Sequence, residues 1–270
     1  PRRPAADGFL SRVATARRRD LLGRAGTTGF ASVVAALGAT LRRYSDGDRV
    51  EMQMITSSRA HPAADPLVGY FLNTLPVVLD CPSDLRLGDL ARQAGAVVVA
   101  NVADRGIPAR RIREIRQAAG ATLPDLDVLI AFDDLADTHF DGARVEQRVL
   151  SNGTAVTDAT FFVELRNDRI DLSLEYRADV MDEPMAHNLL LDFDTMLQAT
   201  VVEPDRALGD VELTSPASLL RGGALDAPAS IVPRILEHVV ARPDAVAVQS
   251  DGENLAWGEL GRRSAIIAEA

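Results

Sequence analysis

The chain has 270 residues, a net charge of −10 and a mean hydropathy of +0.01, which is typical of a globular protein with one large or two smaller domains. All basic residues are arginines, and the acidic balance argues against a nucleic-acid groove, which needs clustered positive charge. The single cysteine, Cys81, excludes an intramolecular disulfide, and four scattered histidines predict no metal site.

The first strong signal along the chain is a helix followed by a strand. Apolar residues from Phe30 to Leu41 recur at helical spacing, and Thr28 is suited to cap the helix at its start. This pattern predicts a half-buried helix. Residues 49–56 then predict a strand, and residues 61–65 predict a loop that leads into the next strand.

The most informative segment is residues 68–80, VGYFLNTLPVVLD, which we interpret as one strand. It is apolar apart from a single amide and a single hydroxyl, Asn73 and Thr74. Buried polar groups need partners, so a strand of this kind usually faces a cleft or a second backbone. Spacing alone favours the interpretation that the two side chains are strand-edge groups that bind nearby backbone.

The remaining elements follow from periodicity and turn residues. Residues 85–102 predict a helix, and Pro108 begins a basic helix. Strand-like runs follow at residues 127–132, 145–150, 160–165 and 170–176, with a hairpin turn at Asn167-Asp168. Pro184 opens a further helix. The stretch from Glu203 to Pro228 reads as a linker, and after it come a helix at 231–240, strands at 245–248 and 255–257, and a helix from Glu259.

Four of these segments resemble motifs of nonribosomal peptide synthetases. Residues 68–80 resemble the condensation-domain motif (I/V)GxFVNTLPLR, residues 40–59 resemble LLARYSGQDDVVVGTPVAGR, and residues 151–160 resemble SGTAKFDLT. Residues 255–260, LAWGEL, resemble L(T/S)YxEL, the motif that opens an adenylation domain. Condensation followed by adenylation is the domain order within a synthetase module.

The resemblance implies an α/β fold, namely a chloramphenicol acetyltransferase-like condensation-domain lobe with a mixed sheet and helices, plus the N-terminal fragment of an adenylation domain. We therefore assign residues 1–210 to the C-terminal lobe of a condensation domain, 211–230 to a linker and 231–270 to the adenylation fragment. The family's catalytic signature, HHxxxDG, does not occur in the sequence. We expect the chain to be part of a longer protein and to be inactive by itself, so we assign no catalytic residue.

In the family, the strand at 68–80 lies on the floor of the tunnel where two carrier-bound substrates meet. The resemblance therefore assigns a substrate-tunnel or lobe-interface role to Gly69, Phe71, Asn73, Thr74, Ser151, Thr154 and Asp158. We expect the amide of Asn73 to bridge backbone at that interface. The segment from Ser151 to Thr160 also fits an Asn-Gly turn with an aspartate as strand cap, and both interpretations can hold together.

Two departures from the family pattern are visible. The arginine that follows the proline of the tunnel motif by two residues is Val78 here. The motif HQDLPFE falls on residues 104–110, where only Ile107 and Pro108 correspond. These losses motivate an alternative function, a degenerate condensation-like domain that recruits a partner.

Five arginines lie close together in sequence, at Arg105, Arg110, Arg111, Arg113 and Arg116. Most charge runs of this kind form a solvated helix face. The resemblance adds a second interpretation, because carrier proteins are acidic and bear a phosphopantetheine phosphate, which arginine binds well. We therefore assign a carrier-protein contact to Arg105, Arg110, Arg111 and Arg113.

The implied activity of the parent protein is amide bond formation, in which the amine of a carrier-tethered acceptor attacks the thioester of a carrier-tethered donor. The implied cofactors are phosphopantetheine on the carrier proteins, and ATP and Mg only for a complete adenylation domain. The implied partners are the missing N-terminal lobe, carrier-protein domains and the rest of the adenylation domain. We expect no nucleic-acid or membrane partner and a cytoplasmic location. A stand-alone acyl-CoA acyltransferase stays open as a further alternative.

Overall fold

The computed structural model describes residues 8–23, 27–57, 59, 66–120, 127–134, 151, 153–166, 168–213, 231–250 and 253–268. The chain divides into two compact units, Pro1–Arg221 and Gly222–Ala270. The elements of the first unit are, in chain order, β1 (Gly8–Val13), α1 (Arg18–Gly23), α2 (Gly29–Arg43), β2 (Arg49–Ser57), β3 (Leu72–Asp80), α3 (Leu87–Ala103), α4 (Ala109–Ala118), β4 (Val128–Asp134), β5 (Ala159–Arg166), β6 (Arg169–Tyr176) and α5 (Glu183–Val202).

The first unit is built on one six-stranded sheet with the order β1-β6-β5-β4-β2-β3. The neighbours β2, β4 and β5 run parallel, whereas β3 pairs antiparallel with β2 and β6 pairs antiparallel with both β5 and β1. The sheet is therefore mixed, as predicted. Gln53 of β2 lies opposite Pro76 of β3 on one side and Leu129 of β4 on the other, which fixes the register across this edge.

The core lies between one face of this sheet and the helices α2, α3 and α5. Alternate residues of a strand point to the same face, and in β3 these are Leu75, Val77 and Leu79, each at most 1% exposed. The opposite residues of β3, including Thr74 and Pro76, are only half-buried. The two faces of the sheet therefore differ: the side chains of β3 on the helix-covered face are buried, and those on the second face are partly exposed.

The predicted cap of α2 is confirmed, because Thr28 Oγ1 accepts a hydrogen bond from the Ala31 N–H at 3.2 Å. The prediction of a half-buried helix was wrong. From Ala31 to Leu41 every residue is buried, since α3 and α5 flank the helix as well as the sheet. Gly38 allows α2 to lie close to β3 of the sheet, because a Cβ at this position would lie 2.7 Å from Leu79 Cδ1.

Two elements near the start of the chain were not predicted, β1 and α1. The end of β1 is tied to α5 by one buried carboxylate. Asp194 accepts from the Thr15 N–H at 2.7 Å and from Thr15 Oγ1 at 2.9 Å, and it pairs with Arg12 at 2.7 Å. These partners are 179 residues apart in sequence, so no local pattern signals the contact.

Two boundaries differ from the predictions. β3 begins at Leu72, not at Val68, because the preceding residues form an irregular exposed segment. The stretch from Glu203 to Leu213 is not a free linker, since Leu208 and Val211 are 1% and 2% exposed. The Leu208 N–H donates to the Leu85 carbonyl at 2.9 Å, which seats this stretch at the start of α3.

The other predicted elements of this unit, α3, α4, β4, β5, β6 and α5, are present. Asp182 caps α5, with its Oδ1 accepting from the Met185 N–H at 2.9 Å. The predicted loop at 61–65, the predicted strand at 145–150, Asn167 of the predicted hairpin turn, and residues 214–230 of the predicted linker lie outside the described residues.

The second unit contains α6 (Ile231–Ala241), β7 (Val246–Ser250), β8 (Glu253–Ala256) and α7 (Trp257–Ala268). The two strands pair antiparallel. Trp257 begins α7, whereas we predicted that it ends the strand, and its ring lies 4.9 Å from that of His238. The two helices approach closely at Gly261, where a Cβ would lie 2.7 Å from Val239 Cγ1.

Candidate functional site

The amide of Asn73 connects the start of β3 to the turn between α3 and α4. Its Nδ2 donates to the carbonyl oxygens of Arg105 at 3.0 Å and Ile107 at 2.7 Å. Its Oδ1 accepts from the N–H groups of Thr74 at 3.0 Å and Ala109 at 3.1 Å. An amide has two N–H donors and two acceptor lone pairs, so this side chain is satisfied in full. We call Asn73 and its backbone partners Arg105, Ile107 and Ala109 the Asn73 cluster.

A second amide supports the same edge of the sheet. Asn101, near the end of α3, donates from Nδ2 to the carbonyl oxygen of Pro76 at 2.7 Å. Pro76 has no N–H, which suits an edge strand where a ladder bond is not required. The outer edge of β3 is therefore covered by α3 and the α3–α4 turn instead of by another strand.

Phe71 and Gly69 belong to a small contact just before β3. The Arg59 guanidinium lies over the Phe71 ring, 4.0 Å from its centroid, and Nη2 donates to the Leu67 carbonyl at 2.8 Å. A Cβ on Gly69 would lie 3.2 Å from Phe71 Cε2, so a small residue suits this position. The last residue of one motif segment, Arg59, thus meets the phenylalanine of the next.

Large apolar side chains on both sides of this contact point into solvent. Val68 is 104% exposed and Tyr70 is 85% exposed, and Leu67 and Leu72 are about half exposed at 54% and 48%. Contiguous exposed apolar residues on a folded domain usually mark an interaction surface. This segment therefore has the exposed apolar character of an interaction surface.

Asp158 joins the ends of three strands. Its Oδ2 accepts from the Asp127 N–H at 2.9 Å, just before β4. Its Oδ1 pairs with Arg177 Nη1 at 2.9 Å, and its own carbonyl accepts from the Arg177 N–H at 3.1 Å, just after β6. Asp127 in turn accepts from Gln53 Nε2 of β2. We call Asp158, Asp127 and Arg177 the Asp158 cluster.

Ser151 and Thr154 lie in the described residues that precede β5. Gly153 has a φ of 76°, a value that favours glycine, and its N–H donates to Ser151 Oγ at 3.1 Å. Both Ser151 and Thr154 are exposed. Asp158 immediately precedes β5, as the local interpretation of this segment has it, whereas Asn152 of the predicted Asn-Gly turn lies outside the described residues.

The structure does not bring the predicted tunnel residues into one pocket. Asn73 lies opposite Thr56, three residues beyond Gln53 toward the carboxyl end of β2. Gln53 pairs with Leu129 of β4, and Leu129 pairs with Thr160 of β5. Asp158 lies two residues before Thr160, toward the amino end of β5. Five residue steps and three strand spacings separate the two clusters by on the order of 20 Å.

The arginines assigned to carrier contact are divided between α4 and the preceding turn. Arg110 and Arg111 each approach Glu114 at 3.2 Å and are 87% and 64% exposed, and Arg113 is also exposed. Arg105 lies in the turn, is half-buried, and offers its carbonyl to Asn73. Three exposed guanidinium groups therefore project from one short helix.

Arg116, the fifth arginine of the run, has a structural role. Its Nη2 lies 2.6 Å from Glu51 Oε2 of β2, and Nη1 pairs with the other carboxylate oxygen. This bidentate contact raises the pKa of Arg116. The sequence does not signal Glu51 or Asn101 as partners, because their contacts span 65 and 25 residues.

The Asn73 cluster consists of an amide and backbone groups, and the Asp158 cluster consists of paired ions and backbone groups, so both hold backbone in position. Among the described residues, no group of three or more His, Cys, Asp or Glu side chains is arranged to hold a metal ion. Within the described parts of the chain, no helix combines the length and hydrophobicity that a membrane span requires.

Known proteins similar to this chain include nonribosomal peptide synthetases. The family model for the condensation domain matches residues 9–219. A dimodular nonribosomal peptide synthase of Bacillus subtilis (strain 168) is 26% identical over 292 residues, which cover 99% of this chain and 12% of that protein. The chain thus spans a small part of the relative's length.

Two solved structures share the fold. The first condensation domain of the calcium-dependent antibiotic synthetase, in complex with a substrate analogue, matches 79% of this chain and 48% of that chain, with a TM-score of 0.67 and 18% identity. A four-domain nonribosomal peptide synthetase bound to AMP and glycine matches 99% of this chain and 23% of that chain, with a TM-score of 0.66 and 19% identity. The predicted condensation-domain fold, with its mixed sheet and helices, is confirmed.

Proposed function

The chain belongs to the condensation-domain family, and we propose that its first unit is the C-terminal lobe of a condensation domain in a nonribosomal peptide synthetase. The observation that carries this proposal is the extent of the match. The family match covers residues 9–219, while the alignment to an isolated condensation domain spans 48% of that domain. The other half of such a domain is a second lobe, and we propose a lobe bearing HHxxxDG as the partner of this one.

We propose that the complete domain forms an amide bond between two carrier-tethered substrates. The acceptor amine attacks the donor thioester carbonyl, the C–N bond forms, and the carrier thiol leaves with the proton that the amine has lost. A histidine of the partner lobe would position or deprotonate the amine. This chain would supply one wall of the tunnel and hold the two arms near each other, which is catalysis by proximity.

The exposed apolar residues before β3 support the position of the lobe interface. Val68 and Tyr70 carry almost fully exposed side chains next to the ordered Arg59–Phe71 contact. Burial of such side chains against a second lobe would stabilise the pair by roughly 25 cal/mol per Å² of apolar surface. We therefore propose that Gly69, Phe71 and the start of β3 lie at the lobe interface. We keep Ser151, Thr154 and Asp158 as proposed residues of the substrate tunnel or lobe interface, and Asp158 in addition supports the ends of three strands.

We propose that the second unit is the start of an adenylation domain. In support, the LAWGEL segment forms the junction of β8 and α7, and the alignment to the four-domain synthetase covers 99% of this chain, beyond the end of the family match at residue 219. We place the boundary between the two within residues 211–230. ATP and Mg would serve only the complete adenylation domain. A cytoplasmic location stays a prediction.

We further propose that carrier proteins contact the arginine-bearing helix α4. Arg110, Arg111 and Arg113 expose planar guanidinium groups, which suit acidic side chains and the phosphopantetheine phosphate. Reversal of one charge, Arg113→Glu, should weaken binding of a holo carrier domain about tenfold. The matched control is Arg19→Glu in α1, whose arginine is also exposed, at 67%, and should leave binding unchanged.

The decisive test of the amide-forming function begins with the parent gene. We predict that it encodes HHxxxDG upstream of this chain, within about one domain length. The full domain, supplied with donor and acceptor substrates loaded on carrier proteins, should release a condensed amide that mass spectrometry detects. Replacement of the second histidine of the motif by alanine should abolish the product.

Two other results would redirect the proposal. An upstream lobe without the histidine pair, together with no amide product and retained carrier or partner binding, would favour the degenerate, partner-recruiting domain. Transfer of an acyl group from acyl-CoA to a free amine, without carrier proteins, would favour the stand-alone acyltransferase. Either result would overturn amide formation as the function of the parent domain.

A further inference from the structure

Helix α4 differs from the other helices of its unit in how it is attached. Within the described part of the chain, none of its residues is fully buried, and Ile112 is its one side chain that packs against the core, half-buried. By comparison, α2 is buried along almost its whole length. Most helical stability in proteins comes from packing of an apolar face. The position of α4 therefore depends on polar contacts at its two ends.

The first of these contacts is the Asn73 cluster. The Asn73 side chain donates to two carbonyls of the turn, those of Arg105 and Ile107, and accepts from the first N–H of the helix, that of Ala109. Asn73 stands on β3, a strand that the core fixes through Leu75 and its neighbours. Loss of the amide would remove the attachment of the turn without opening the core.

The second contact is the pair between Arg116 and Glu51. Arg116 lies in the last turn of α4, and Glu51 lies on the half-buried face of β2. The side chains are 25% and 15% exposed, so the pair is only partly screened by solvent. A bidentate guanidinium–carboxylate pair also fixes orientation. The helix is thus held at its first and last turns, with little between them.

We propose that α4 and the preceding turn undock from β3 as one unit while the rest of the lobe stays folded, and that Asn73 is the positioning residue that sets the docked population. This inference rests on the proposed carrier contact, because the docked helix is the form that presents its three exposed arginines in a fixed arrangement. The apparent dissociation constant of a carrier equals the intrinsic one divided by the docked fraction. A tenfold loss of docked helix would therefore weaken carrier binding tenfold with no arginine altered.

The test compares two asparagines whose side chains connect β3 with the elements beside it. Asn73 lies on β3, and Asn101 lies on α3. Asn73→Ala removes the attachment of the α3–α4 turn. Asn101→Ala removes one bond from α3 to the Pro76 carbonyl and leaves the turn attached. Hydrogen exchange of the full chain, followed by mass spectrometry, should show protection of α4 lowered at least tenfold in Asn73→Ala. Protection of α2 should change far less, and Asn101→Ala should leave α4 protected.

Each alternative outcome refutes a different statement. If α4 keeps wild-type protection in Asn73→Ala, or loses it only together with α2, the helix does not undock as a unit and the inference fails. Titration of a holo carrier domain against these variants and against Arg113→Glu separates failure of the undocking inference from failure of the carrier proposal. If Arg113→Glu leaves carrier affinity unchanged while Asn73→Ala frees α4, the carrier contact is wrong and the undocking stands.

Glu51→Gln gives an independent check at the other end of the helix. It keeps the size of the side chain and removes the charge that Arg116 binds. Because the helix undocks as one unit, we expect exchange to rise along the whole of α4 in this variant, as it does in Asn73→Ala. A rise confined to the last turn in Glu51→Gln, or to the first turn in Asn73→Ala, would show that the two ends open separately and would overturn undocking as a unit.

Discussion

Asn73 and Asp158 lie in two different motif segments, and both side chains form hydrogen bonds with backbone groups. They nevertheless join different parts of the molecule. Each accepts a hydrogen bond from a backbone N–H on a neighbouring element, Ala109 for Asn73 and Asp127 for Asp158. Asn73 joins an edge strand to a helix with no fully buried side chain. Asp158 joins the beginnings of two central strands to the end of a third through Arg177.

The difference shows that a polar residue in a motif segment can serve architecture at two levels. At the centre of the sheet, loss of the contact disturbs strands whose other faces carry the core. At the edge, loss of the contact releases a peripheral helix. The resulting loss in the free energy of unfolding cannot exceed the free energy with which that helix docks on the sheet. Stability measurements on the two positions therefore separate the frame of the lobe from its movable part.

The largest effect is expected for Asp158→Ala. The variant leaves the partly buried Asp127 N–H without its acceptor and takes away a partner of Arg177, and an unpaired donor out of reach of water costs about 1–3 kcal/mol. Because the Arg177 side chain is 41% exposed, its share is small. We expect a loss of about 2 kcal/mol in the free energy of unfolding, measured by denaturant titration.

The matched control for this variant is Asp179→Ala. Asp179 also binds Arg177, through a hydrogen bond that lowers the pKa of Asp179, but its side chain is 68% exposed. An exposed ion pair contributes about 0–1 kcal/mol, so the control should stay close to wild type. Equal losses in both variants would show that the Asp127 contact does not carry the effect.

A smaller effect is expected for Asn73→Ala. Four hydrogen bonds are lost, but the site is half-buried and water can reach the freed backbone groups once α4 moves. We expect a global loss of about 1 kcal/mol or less, measured by the same titration. A loss larger than that of Asp158→Ala would reverse the comparison and place the Asn73 contact within the frame of the lobe.

The sequence predicted the core helices and strands better than the polar contacts that connect them. Periodicity placed α2, α3, α5 and the strands β2 to β6, because each buries a regular apolar face. The motif resemblance correctly indicated the mixed sheet and the family. Strand β1 was missed; its end is held by Asp194 of α5, a partner whose contact no local pattern encodes.

The same limit applies to the candidate site. Asn73 was singled out because an amide stood in an apolar strand, but its partners in the α3–α4 turn lie 32 to 36 residues away. The run of arginines looked uniform, although Arg116 pairs with Glu51 of β2 while Arg110 and Arg111 share a neighbour within their own helix. Burial around α2 was underestimated because its small residues do not reveal that helices flank it.

The smallest effect is expected at Cys81 in the Asn73 variant. Cys81 follows β3 at the end opposite to Asn73 and is 0% exposed, and burial, with the nearby Asp80 charge, raises its pKa from 9.0 to about 12. The thiolate is the reactive form, so the native thiol is protonated at pH 8 and alkylation must pass through an opened state. The stability due to this shift is complete below pH 9 and is lost as the pH rises toward 12.

Alkylation of Cys81 at pH 8 therefore reports opening of the core and not of the helix. A loss of 1 kcal/mol corresponds to about a fivefold rise in the opened population, and 2 kcal/mol to about 30-fold. We expect the alkylation rate, followed by mass spectrometry, to rise about fivefold or less in Asn73→Ala and about 30-fold in Asp158→Ala. A rise in Asn73→Ala that matched Asp158→Ala would mean that freeing α4 also opens the β3 core, because Cys81 lies behind Leu79 on the same strand end.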